Sequence, residues 1–141
     1  MDNNYYKIMA LDFGDVRIGV ALSDMTRTIA SGYENYTRCN DEDKDISHIM
    51  DIAKSNNVKL IVMGIPYNMD GTESNQTLKT KAFAEKLSAI SGIEIKFQDE
   101  RLTSKLAERM LINADVSRMK RKNVLDKLSA TIILQDYLNQ I

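Results

Sequence analysis

Ile8–Phe13 (IMALDF) is a short apolar run ended by Gly14, the pattern of a buried strand. From Arg17 to Ser23, Ile18, Val20 and Leu22 alternate with small residues, which predicts a second strand. The brief link through Gly14 and Asp15 predicts that these two strands pair as a hairpin. Thr28–Thr37, with Ile29, Tyr33 and Tyr36, reads as a weaker third strand. Asp41-Glu42-Asp43 then supplies a cap and favourable N-terminal charge for a helix through Ile46, Ile49, Met50 and Ala53. Val58–Gly64 (VKLIVMG) is a fourth strand, and Pro66 with Gly71 marks the loop after it. A helix over about Ser74–Ile90 and a strand over Ile93–Phe97 follow. Two helices, roughly Ser104–Asn113 and Arg118–Leu138, finish the chain.

This β-β-β-α-β-α-β-α-α order predicts an α/β fold built on one mixed five-stranded sheet, three antiparallel strands then two parallel ones, flanked by helices. Hairpins make the antiparallel part, whereas strands separated by helices must join by parallel crossovers. The length of 141 residues fits one domain, 1–141, large enough to bury its own core. In sheets of this kind chemistry sits at the carboxyl ends of the strands.

Acidic residues stand at those ends. Asp12 closes the first strand, and Asp99 and Glu100 follow the last. Asp126 heads a stripe with Ala130, Ile133 and Tyr137 on the final helix, while Val124, Leu128 and Ile132 make the opposite face apolar as well. A helix apolar on both faces is buried, so the stripe should face the sheet, where a carboxylate is costly unless paired or bound to metal. Three carboxylates from separate elements suit hard cations. Mg²⁺ or Mn²⁺, often as two ions roughly 3.5–4 Å apart, activates water for phosphoryl displacement. Each acid alone reads more readily as a helix cap or as a partner of Arg17, Arg101 or Lys127, and only the three together, beside a basic segment, turn the reading toward a metal site. Between Asp99 and Glu100 the pattern leaves the choice open: Asp99 shares the face of Ile95 and Phe97, Glu100 that of Lys96 and Gln98.

Composition narrows the chemistry. A single histidine, His48, and a single cysteine, Cys39, argue against a Cys/His zinc site, a Ser-His-Asp triad and a Cys-His pair. His48, just after an acidic turn, reads as structural. The lone cysteine fits a reducing compartment, the N-terminus lacks the build of a signal peptide, and no apolar run approaches about 20 residues. The expectation is a cytoplasmic protein with no membrane partner. Net charge is −1 overall, but residues 1–100 carry −5 and residues 101–127 carry +5. Arg118, Lys120, Arg121 and Lys122 lead that basic segment, which reads either as a solvated helix face or as the footprint of a polyanion binder.

Four blocks carry a resemblance: Ile8–Asp24 (IMALDFGDVRIGVALSD), Val62–Glu73 (VMGIPYNMDGTE), Asp99–Ser104 (DERLTS) and Val124–Leu138 (VLDKLSATIILQDYL). In this order they resemble the YqgF/RuvX family of RNase H-like proteins, associated with maturation of pre-16S rRNA and earlier with Holliday junction resolution. The resemblance implies an RNase H-like fold and a catalytic, metal-holding set of Asp12, Glu100 and Asp126. It implies that Arg17 and Arg101 bind the scissile phosphate. Asn68, in the Pro66–Gly71 loop ahead of a helix N-terminus, and the basic run Arg118, Lys120, Arg121 and Lys122 complete the candidate substrate contacts. Asp15-Val16 at the hairpin tip and Ser129 depart from the family's usual pattern without touching these residues.

The activity so implied is a metal-dependent nuclease using Mg²⁺ or Mn²⁺, processing the 5′ end of pre-16S rRNA. RNA is favoured over DNA, with a pre-ribosomal particle as partner. The alternatives are a Holliday junction resolvase-like DNA nuclease in recombination or repair, and a non-catalytic nucleic-acid-binding module. Asp12-Phe13-Gly14 also resembles the phosphate hairpin of sugar kinases and actin-like ATPases, but that fold takes two such domains to hold a nucleotide. A resolvase must present two symmetry-related sites, whereas the apolar residues here are accounted for by one core, so a monomer or weak dimer is expected.

Overall fold

A computed structural model describes residues 5–99, the backbone but not the side chains of 118–127, and all of 128–141. Eight elements result: β1 (Lys7–Phe13), β2 (Arg17–Ser23), β3 (Ala30–Thr37), α1 (Glu42–Ser55), β4 (Val58–Ile65), α2 (Asn75–Ser91), β5 (Glu94–Asp99) and α3 (Arg118–Gln140). The helix expected over 104–113 lies outside the described residues. The strands form one sheet in the order β3-β2-β1-β4-β5. β1 pairs antiparallel with β2, and β2 with β3, while β1–β4 and β4–β5 are parallel. That is the mixed arrangement expected.

The apolar pattern explains the layering. Met9, Leu11 and Phe13 of β1, with Ile18, Val20 and Leu22 of β2 and Ile61 and Met63 of β4, bury one face under α1 and α2. Ile8 and Ala10, with Ala21 and Val62, bury the other face under Ala130, Ile133, Leu134 and Leu138 of α3. Central strands covered on both faces must be apolar throughout, which is why β1 reads as a run rather than an alternation. The stripe assigned to the last helix does meet the sheet: Ala130 and Ile133 are fully buried and Tyr137 packs beside them.

Helix ends follow local chemistry. Asp41 caps α1 by accepting from the Asp43 and Lys44 N–H groups. Ser74 and Thr77 form a reciprocal capping box on α2, and Gly92 ends it in the left-handed region at φ 71°. Two boundaries differ from expectation. β3 begins at Ala30 rather than Thr28, because Asp24 Oδ1 takes the Thr28 and Ile29 N–H groups at 2.7 and 3.0 Å and holds that stretch as a turn. β5 runs on to Asp99, opposite Ile65, as an edge strand in which Phe97 is 44% exposed. His48 has the structural role expected, its ring nitrogen 2.7 Å from Glu34 and its ring stacked on Tyr36.

Candidate active site

The site is built around the last turn of β1. Asp12 pairs with Gly19 of β2, and the neighbouring position on β4, one past the Leu11–Met63 pair, is Gly64. Strand alternation puts Asp12 on the face of Ile8 and Ala10, the face that α3 covers. Its carboxylate is half-buried, and on both flanking strands the adjacent position carries no side chain. Arg17 follows the parity of Gly19 and Ala21, so it stands on the same face, diagonal to Asp12 and within reach of a long side chain. One acid and one guanidinium expected from the sequence are thus brought to one corner of the sheet.

The turn between them is tight. Gly14 donates its N–H to the Arg17 carbonyl at 2.9 Å, and a Cβ at position 14 would lie 2.8 Å from that same oxygen. Only glycine fits without moving the backbone between Asp12 and Arg17.

The other candidates distribute differently. Asp99 follows Ile95 and Phe97 opposite Ile61, Met63 and Ile65, so its parity is that of the α1/α2 face, away from Asp12. Glu100 and Arg101 lie outside the described residues. Asp126 lies in α3 one turn before Ala130, and its side chain, like those of Arg118, Lys120, Arg121 and Lys122, is outside them as well. α3 is pinned at the opposite end of the sheet. Gln135 accepts from the Ala30 N–H at 2.9 Å and donates to the Thr28 carbonyl at 3.1 Å. Ala30 pairs with Ser23, level with the start of β1. From Gln135 back to Asp126 the helix rises about 13 Å, and from Ile8 to Asp12 the strand advances about 13 Å.

Asn68 is engaged otherwise than expected. Its amide donates to Thr72 Oγ1 at 2.9 Å, within a small closed loop flanked by a Tyr67–Glu73 bridge. That loop stands between Pro66 and α2, where Ser74 Oγ takes the Thr77 N–H and Thr77 Oγ1 the Ser74 N–H. The pattern of the chain gave no reason to single out Gly19 and Gly64, which look like strand interior and strand end. Only the register reveals that both flank Asp12. Among the described residues no three His, Cys, Asp or Glu side chains gather as a metal site. Two of the three expected ligands, Glu100 and Asp126, have side chains beyond that set.

Comparison with known proteins decides the family. Residues 6–140 match the family model described as RuvX, Holliday junction resolvase. The chain belongs to the RuvX family. A Clostridioides difficile protein named "Putative pre-16S rRNA nuclease" is 47% identical over 133 residues, covering 94% of each chain. One of the same name from Endomicrobium trichonymphae is 44% identical over 134 residues, covering 94% of this chain and 95% of the relative. Among solved structures, Thermus thermophilus RuvC in complex with a Holliday junction substrate superposes with a TM-score of 0.59 at 9% identity, over 96% of both chains. The yeast mitochondrial Holliday junction resolvase Ydc2 gives 0.52 at 9% identity, over 96% of this chain and 81% of that one. At such identities the likeness is one of fold, and the fold is RNase H-like. RuvX membership makes the chain a hydrolase of phosphodiester bonds acting on nucleic acid. No helix among the described residues is long and apolar enough to cross a membrane.

Proposed function

We propose that this RuvX-family chain is a divalent-metal-dependent endonuclease that trims the 5′ end of pre-16S rRNA, with Asp12, Glu100 and Asp126 as its catalytic, metal-holding carboxylates. The observation that carries the reading is the position of Asp12: half-buried at the end of the central strand, on the sheet face that α3 covers, with glycine on both sides and Arg17 on the diagonal. Asp99 stands on the other face, which leaves Glu100 as the acid drawn from that strand end. The matched rise of α3 and β1 supports Asp126 as the third. Three carboxylate donors without histidine or thiolate fit a hard cation such as Mg²⁺ or Mn²⁺. A pair of such ions, when bound, lowers the pKa of a water and neutralises charge on the phosphate.

The chain's own groups do the positioning. Arg17 and Arg101 hold the non-bridging oxygens of the scissile phosphate as forked donors. The basic start of α3 carries the neighbouring phosphates. Asn68 serves here only if its bond to Thr72 exchanges for one to substrate. Asp12, at the end of β1, is the carboxylate that would hold the cation nearest Arg17. We assign the protein to the cytoplasm, where the precursor rRNA is made, as a monomer or weak dimer, since one site suffices to trim one strand.

The deciding assay offers labelled single-stranded RNA spanning a 5′ leader and a four-way DNA junction, each with Mg²⁺ or Mn²⁺. Faster metal-dependent cleavage of the RNA is expected. Paired symmetric nicks in the junction by a stable two-fold dimer would instead establish a resolvase, and binding without cleavage a non-catalytic module.

Two variants probe the corner and the basic run. Gly14→Ala forces its Cβ against the Arg17 carbonyl, so the turn must shift by several tenths of an ångström. Cleavage is expected to fall about tenfold or more, because displacements of this order spoil reacting geometry. A steady-state rate within twofold of wild type would contradict it. Replacing Arg118, Lys120, Arg121 and Lys122 together with Gln should weaken binding to every sequence alike. The salt dependence should become shallower by about 0.7 log units for each phosphate that the protein no longer neutralises. An unchanged slope in a filter-binding titration would return that segment to a solvated helix face.

A further inference from the structure

We infer that Arg38, locked by the buried carboxylate of Asp45, is a positioning residue that sets the β1–β2 turn and through it the spacing of Asp12 and Arg17; this rests on the reading of Asp12 as catalytic. Arg38 is the first residue after β3 and touches the turn at three points. Its backbone N–H donates to the Val16 carbonyl at 2.8 Å, and its Nη1 donates to the Gly14 carbonyl at 3.2 Å. Its guanidinium also lies 4.7 Å from the centre of the Phe13 ring, which itself stacks on Phe83 at 4.4 Å. Phe13, Gly14 and Val16 are three of the four residues separating Asp12 from Arg17.

What holds Arg38 is equally specific. Asp45, on the first turn of α1, is fully buried and accepts from Arg38 Nε at 2.9 Å. Its other oxygen accepts from the Tyr36 hydroxyl at 2.9 Å and from the Cys39 N–H at 3.3 Å. Burial alone would raise the Asp45 pKa, but these donors hold it below the usual carboxylate value, so it stays charged beside Arg38. A buried ion pair of this kind adds little stability over an apolar replacement, yet it fixes direction, because the planar guanidinium serves Asp45 and Gly14 at once. A lysine ammonium cannot reproduce that fork. α2 adds a fourth grip, Gln76 Nε2 donating to the Phe13 carbonyl at 3.2 Å. The turn is thus held by Arg38 at the end of β3, itself fixed by Asp45 of α1, and by Gln76 of α2, both helices lying on the side of the sheet away from α3.

The test measures kcat and KM separately on the best-cleaved RNA, at a temperature where every variant is folded. Arg38→Lys and Asp45→Asn are each expected to lower kcat about ten- to hundredfold with KM changed less than about threefold, and to speed amide exchange at Gly14. The comparison variant is Arg27→Gln. Arg27 packs on Tyr6 and donates to the Tyr6 carbonyl at the far end of the sheet, so its loss should lower stability and leave kcat alone. If Arg38→Lys does not fold, Asp45→Asn, which keeps the side chain's shape, carries the measurement. Asp12→Asn run alongside separates the two claims. A wild-type rate from that variant removes Asp12 from the chemistry and the inference with it. An inactive Asp12→Asn beside wild-type kcat in both Arg38→Lys and Asp45→Asn overturns the inference alone.

Discussion

Asp12→Asn should abolish cleavage, by about a thousandfold or more, while the protein folds as before. The substitution is isosteric, and under the proposed function it removes a charge that would hold the cation and orient the attacking water. Losing about 4 kcal/mol of transition-state stabilisation corresponds to that factor. The fold should not suffer, because Asp12 ends a strand whose other residues carry the packing on both faces. If Glu100 and Asp126 crowd the same corner, removing one carboxylate relieves repulsion, and the melting temperature should hold or rise. A cleavage time course in Mn²⁺ with a thermal melt on the same preparation checks both parts. Asp126→Asn is expected to behave in the same way. Cleavage at the wild-type rate by either variant would remove that residue from the site.

Phe83→Ala should be the most damaging change to stability. The ring is 1% exposed, sits in the core between α2 and the sheet, and stacks on Phe13 with 27° between the planes. Deleting it forfeits the transfer free energy and leaves a cavity, a loss of about 3–5 kcal/mol. That is a large share of the roughly 5–15 kcal/mol that holds a domain folded. The same deletion takes away the floor on which Phe13 and Arg38 rest. Denaturant unfolding should therefore show a much lower midpoint, and the folded fraction should cleave more slowly than wild type. Phe83→Leu keeps most of the volume and should recover most of the stability. A Phe83→Ala midpoint near the wild-type value would show that the core closes over the gap.

Much of the fold was legible because its elements carry strong local signals. The run Ile8–Phe13, the alternation in Arg17–Ser23, the acidic cap at Asp41 and the Ser74 start of α2 all correspond to observed elements, within one or two residues at most ends. The stripe Ala130, Ile133 and Tyr137 was likewise readable from its spacing and does face the sheet. Period and capping are local properties, so one sequence suffices for them. The four motif blocks sufficed for the family in the same way.

Which layer covers each strand face, and which groups meet across long stretches of chain, emerged only from the folded arrangement. Alternation along the chain groups Asp99 with Ile95 and Phe97 and Glu100 with Lys96 and Gln98, but does not say which helices cover either face. The register Ile65–Asp99 assigns Asp99 to the α1/α2 face, since a slip of one residue inverts a strand's parity. Gly19 and Gly64 gain meaning only as the strand neighbours of Asp12, an arrangement created by pairing three separate strands. Asn68 looked available for substrate, yet its amide is taken up inside its own loop. Arg38 and Asp45 carried no motif at all, because their role depends on Gly14, Phe13 and α1 meeting at one point. Local spacing along the chain dictated the order of the elements and the kinds of chemistry the chain can carry. Where that chemistry gathers was set by sheet register and long-range packing, which link residues that no local pattern connects.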